Sequence, residues 1–98
     1  MQIKAVGEKD FCQVFSFMGA QTFVVKDPQE ALSLVESHKH EESLVLISLL
    51  FYYPLRERFE ELKTKSRAVI LEIPSPSQPS KEEFDPRRLL QTIIGMRI

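Results

Sequence analysis

Apolar residues gather in four short runs rich in β-branched side chains: Ile3 to Val6, Thr22 to Val25, Leu44 to Leu49 and Ala68 to Ile73. Polarity hardly alternates within them, and Leu44-Val45-Leu46-Ile47 and Ala68-Val69-Ile70-Leu71 are apolar throughout. A strand with one wet face alternates, so unbroken runs predict strands covered on both faces, the situation of parallel sheets flanked by helices.

Helical periodicity fills the gaps. Phe11, Val14, Phe15 and Met18 fall at i, i+3, i+4 and i+7 and predict one apolar helix face. Asp10 is placed to cap that helix, and Gly19 stands where a left-handed closing residue is wanted. The next helix opens Asp27-Pro28-Gln29-Glu30, a capping Asp, a Pro at the first helical position and a Glu that can bond back to the cap. Ala31, Leu32, Leu34 and Val35 supply its buried side, and it is expected to fray near Glu36 to His40. A third is expected from about Pro54 to Thr64, with Leu55, Phe59 and Leu62 inward. Glu57, Arg58, Glu60, Glu61 and Lys63 form its solvated side, and the pairs Glu57–Glu61 and Glu60–Lys63 read as an exposed face.

After the fourth run the texture changes. Pro74-Ser75-Pro76-Ser77-Gln78-Pro79-Ser80-Lys81 has nothing to bury, and its prolines favour extended backbone, which predicts a semi-rigid linker. Beyond it, Phe84-Asp85-Pro86 announces a last helix with Asp85 as cap and Leu89, Leu90, Ile93 and Ile94 on its apolar face. The expected organisation is a core over 1–74, a linker over 75–83 and a helix over 84–98. Strands alternating with helices point to an α/β fold, a four-stranded parallel doubly wound sheet in the order 2-1-3-4, Rossmann- or receiver-like.

The chain has 98 residues, enough for one domain burying roughly two-thirds of its unfolded surface. Thirteen Lys and Arg against fourteen Asp and Glu give a formal net charge of −1, which removes the basic footprint of a nucleic-acid binder. A lone cysteine, Cys12, forms no internal disulfide and fits a reducing compartment. The longest stretch free of charged residues, Phe11 to Val25, is fifteen residues, against about twenty for a membrane-spanning helix. No apolar signal core follows Met1-Gln2-Ile3-Lys4, so a soluble intracellular protein is expected.

Ligands of doubly wound sheets bind at the strand carboxyl ends, beside the switch between strands one and three, which Gly7-Glu8-Lys9-Asp10 and Ser48-Leu49-Leu50-Phe51 reach here. A phosphate cradle needs several glycines, and Gly7 stands alone. A receiver needs an acidic pair after strand one and an Asp acceptor after strand three. Glu8 and Asp10 resemble the pair, but Ile47-Ser48-Leu49 lacks the acceptor, so Asp10 reads as a cap and Glu8 as a solvated loop carboxylate. Cys12 reads as a small buried hydrophobe, and His38 and His40 as solvated rather than metal-binding. No nucleophile, base and oxyanion donor assemble, so catalytic, cofactor and metal residues are all expected to be none. Phe51-Tyr52-Tyr53 places three large aromatics where small polar residues are usual; either part of the cluster folds into the core or it presents a contact patch, with Tyr52 and Tyr53 as its contacts.

The chain resembles the F-subunit family of the rotary V-type and A-type ATPases (ATP synthases). The resemblance is carried by Val6-Gly7-Glu8-Lys9-Asp10, Phe15 with Met18-Gly19, Asp27-Pro28-Gln29-Glu30-Ala31-Leu32 and Leu46-Ile47-Ser48. It continues through Val69-Ile70-Leu71-Glu72-Ile73-Pro74, a polar linker, and an Asp85-to-Ile98 segment ending Ile94-Gly95-Met96-Arg97-Ile98. It implies a non-catalytic central-stalk protein that binds the coiled-coil D-subunit, turns inside the catalytic A/B hexamer, and uses its carboxyl-terminal segment to regulate turnover. It further implies a cytoplasmic place, peripheral to the membrane, no cofactor, and contacts through Arg87, Arg88, Leu90, Gln91, Ile94 and Met96. The chain departs from the family at Leu49-Leu50-Phe51-Tyr52-Tyr53-Pro54, where members usually carry Thr or Ser and then acidic helix residues. The competing reading is a degenerate receiver-like interaction module without its phosphoacceptor.

Overall fold

A computed structural model of the chain describes residues 2–75. Strands β1 (Gln2–Gly7), β2 (Gln21–Val24), β3 (Ser43–Ser48) and β4 (Val69–Ile73) form one sheet in the order β2-β1-β3-β4. Every pairing is parallel, with Ala5 beside both Thr22 and Leu46, and Leu46 beside Leu71. This is the predicted α/β fold. The linker from Pro76 onward, the helix expected over 84–98 and the contacts Arg87, Arg88, Leu90, Gln91, Ile94 and Met96 lie outside the described residues.

The unbroken apolar runs are explained by a core on each side of the sheet. Val6, Val45, Ile47 and Ile70 point to one side, where α2 (Pro28–Ser37) brings Ala31, Leu32 and Val35. The same side holds Phe51 and Tyr52 of α3 (Leu49–Tyr52) and Phe59 and Leu62 of α4 (Arg56–Lys65). Ala5, Leu44, Leu46 and Ile73 point to the other, against Phe11, Cys12 and Phe15 of α1 (Lys9–Ser16). All six residues of the central strand β3 are buried.

Three local expectations need correction. Asp10 does not cap α1: Glu8 holds the cap position with extended backbone, and Asp10 sits inside the first turn, where a carboxylate still favours the helix dipole. Gly19 does adopt the left-handed conformation after that helix, at φ 84°. Asp27 caps α2 as expected, accepting from the Glu30 amide at 2.8 Å, but Glu30 reaches back to the Lys26 amide at 3.0 Å, one residue before the cap.

The third correction is the largest. The helical course does not start near Pro54 but at Leu49, directly after β3, with Ser48 as cap. Pro54 has no N–H for an α-helical bond, and the chain tightens into a 3-10 turn over Tyr53–Leu55 before α4 begins.

Candidate functional site

The carboxyl ends of β1 and β3 form the crevice where this architecture places ligands. Here its own side chains fill it. Gly7 comes so close to its neighbours that a Cβ would lie 2.7 Å from the Phe11 ring and 2.9 Å from Ser48 Cβ. Glu8 is not a solvated loop carboxylate, as the sequence pattern suggested. It is half-buried and accepts hydrogen bonds from Ser48 Oγ at 3.0 Å and Ser75 Oγ at 2.6 Å. Ser48 Oγ also accepts from the Leu50 amide at 3.3 Å, so one hydroxyl ties Glu8 to the start of α3. Both serines are buried. Ser48 occupies the place a receiver needs for its acceptor Asp, and its hydroxyl is committed to these contacts.

Cys12 packs inside the α1 layer with its thiol facing the carbonyls of Ala5, Gly7 and Phe23. Burial pushes that thiol up from its ordinary value, away from the reactive thiolate. Among the described residues no three His, Cys, Asp or Glu side chains converge as a metal ion requires.

At the opposite end of β1, Lys4 is buried to 2% exposure, a position the sequence pattern assigned simply to an apolar run. Its ammonium meets the Glu41 carboxylate and Nδ1 of His38, the latter at 3.0 Å. His38 Nδ1 also lies 3.0 Å from Glu41, and its ring stands 5.4 Å from Phe23, so this histidine is half-buried and engaged rather than solvated. The Lys4 ammonium, then His38, holds the Glu41 carboxyl below its ordinary range. A lysine interrupting an apolar run was the available signal; its partners, 34 and 37 positions away, left none.

The aromatic cluster divides. Phe51 and Tyr52 turn into the core, and Tyr52 lies over Phe59 with ring centroids 5.2 Å apart. The Tyr52 hydroxyl donates to Glu60; burial first, and that carboxylate second, raise its pKa. Lys63 stands over the same ring and pairs with Glu72 at 2.7 Å and Glu60 at 2.9 Å. Partial burial disfavours its charge, yet the hydrogen bonds to Glu72 and Glu60 prevail and raise its pKa. Tyr52 is therefore a core residue with an internally satisfied hydroxyl, which corrects its expected place on a contact patch. Tyr53 faces outward at 69% exposure.

The switch crevice of this parallel 2-1-3-4 sheet thus holds contacts among the chain's own side chains. Residues 3–90 match the family model described as ATP synthase (F/14-kDa) subunit. The chain belongs to this family. It is 31% identical over 100 aligned positions to the F-subunit of the A-type ATP synthase of Methanothermobacter thermautotrophicus, covering 98% of this chain and 94% of that relative. The family is one of accessory subunits assembled within an ATPase complex. Among the described residues no helix is long and apolar enough to cross a membrane.

Proposed function

We propose that this chain is a non-catalytic central-stalk component of a V/A-type rotary ATPase. It binds the coiled-coil D-subunit and couples or regulates nucleotide turnover with ion translocation. Family membership carries the reading. The fold supports it, because a sheet packed on both faces moves as one body, which a rotor part must do. The crevice supports it too, since Ser48 and Ser75 both donate to Glu8 where an enzyme of this architecture would hold substrate. The protein works on the cytoplasmic side, peripheral to the membrane. Arg87, Arg88, Leu90, Gln91, Ile94 and Met96 serve as contacts to the D-subunit or the A/B hexamer, on the strength of the helix pattern and the family resemblance.

Co-expression with a D-subunit homologue tests this. A one-to-one complex that survives gel filtration at micromolar concentration is expected, and Ile94→Asp should weaken it while the Tm of the isolated chain changes little. If the wild-type proteins elute apart, the stalk role is wrong.

A further inference from the structure

We infer that the crest built by Leu50 and Tyr53, with the groove beside it, docks an acidic amphipathic helix of the coiled-coil partner. This rests on the stalk reading and specifies which surface of the described core takes part. Leu50 and Tyr53 stand one helical turn apart and are 41% and 69% exposed, whereas Phe51 and Tyr52 between them are buried. The crest continues into Pro54, also exposed, and into an open groove of about 360 Å³ lined by Tyr53, Pro54, Leu55, Arg56, Glu57 and Arg58. Of the other large exposed apolar residues, Phe17 follows α1 at the amino-terminal end of the sheet, and Val24 and Val69 lie on the two outer strands. None of them lines either of the two grooves formed by the described residues around α4.

Charge decides the occupant. Arg56 and Arg58 open α4, where the helix dipole disfavours cations. Neither makes an ion pair with the described residues; each only feels Glu60 or Glu61 at longer range. Those carboxylates are already taken, Glu60 by Tyr52 and Lys63, Glu61 by Lys65. Glu57 is the one acid lining the groove, so two arginines face it with a positive excess. An unfavourable placement without an ion-pair partner among the described residues is what an acidic partner would reward. Exposed Tyr and Arg beside apolar surface are also the residue types that dominate interface energetics. A helix with an apolar stripe flanked by Asp or Glu satisfies both halves, the stripe on Leu50 and Tyr53, the carboxylates on Arg56 and Arg58.

The experiment measures the affinity of the full-length chain for the purified coiled-coil partner at low and high salt. Tyr53→Ser and the double variant Arg56→Glu/Arg58→Glu are compared with Phe17→Ser as a distant control. Each crest variant is expected to weaken binding about tenfold or more, the double variant is expected to lose most of the salt dependence, and Phe17→Ser is expected to match wild type. A photoreactive amino acid at position 53 should crosslink to the partner, and one at position 17 should not, which keeps the test valid if a crest variant folds poorly. Wild-type binding with unchanged crest variants and no crosslink from position 53 overturns the docking surface and leaves the stalk role standing. Absence of wild-type binding overturns both. Equal capture by an anionic oligonucleotide shows that the arginines serve general anion binding, and also overturns it.

Discussion

Ser75 and Glu8 are 67 positions apart in the chain, yet the Ser75 hydroxyl donates to the Glu8 carboxylate at 2.6 Å. With the bond from Ser48, it joins the ends of β1 and β3 to the residues that follow β4. The point where the chain leaves the sheet is thus fastened to the switch crevice.

Hydrogen bonds to a charged acceptor contribute about 1.5–3 kcal/mol when one partner is removed. Glu8→Gln and Ser75→Ala are each expected to destabilise by about 1–3 kcal/mol in chemical denaturation. Together they should show a coupling of at least about 0.5 kcal/mol, because they act on one contact. Additive effects in the double-mutant cycle would mean that the charge on Glu8 adds nothing to the bond from Ser75.

Gly7 offers a sharper geometric test. Its backbone adopts no left-handed conformation, so the need for glycine comes from space alone. An added Cβ would press on the Phe11 ring, which is fully buried, and on Ser48 Cβ, so neither neighbour can yield cheaply. Gly7→Ala is expected to cost about 1–3 kcal/mol through overpacking. A Tm equal to or above that of wild type would show that α1 shifts freely on the sheet.

These two sites mark where sequence patterns stop being informative. The unbroken run Leu44-Val45-Leu46-Ile47 announced a strand buried on both faces, because no other parallel-sheet position tolerates it, and the strand order followed from connection rules. Asp27-Pro28 announced α2 through local chemistry. Leu49 to Tyr53 defeated the same reasoning, since a five-residue apolar stretch has no readable period. Which aromatic turns inward is set by Phe59, seven residues beyond Tyr52, and by the 3-10 turn that Pro54 imposes. The Glu8–Ser75 and Lys4–Glu41 contacts were illegible for a related reason: they join residues that only the finished sheet brings together.

The Lys4–Glu41 contact predicts how stability depends on pH. Glu41 has its carboxyl pKa lowered from an ordinary 4.5, first by the Lys4 ammonium and then by His38. The unfolded chain therefore binds a proton at this group more readily than the folded chain does, and stability rises with pH across that interval. Its contribution is complete above about pH 4.5 and is lost as pH falls through the lowered folded value. Glu60, lowered by the Tyr52 hydroxyl and Lys63, acts in the same sense. Lys4→Met removes the first effect and leaves the second. It also places an apolar side chain of similar length where the buried ammonium stood, which removes the desolvation cost of that charge, while the half-exposed Glu41 carboxylate stays hydrated. Stability at pH 7 should equal or exceed that of wild type, and the loss between pH 5 and pH 3 (a range set by the 4.5 reference) should be shallower but not abolished. Denaturant midpoints of both proteins at the two ends of that range check it. Parallel acid limbs would mean that the Glu41 charge does not distinguish the folded chain from the unfolded one.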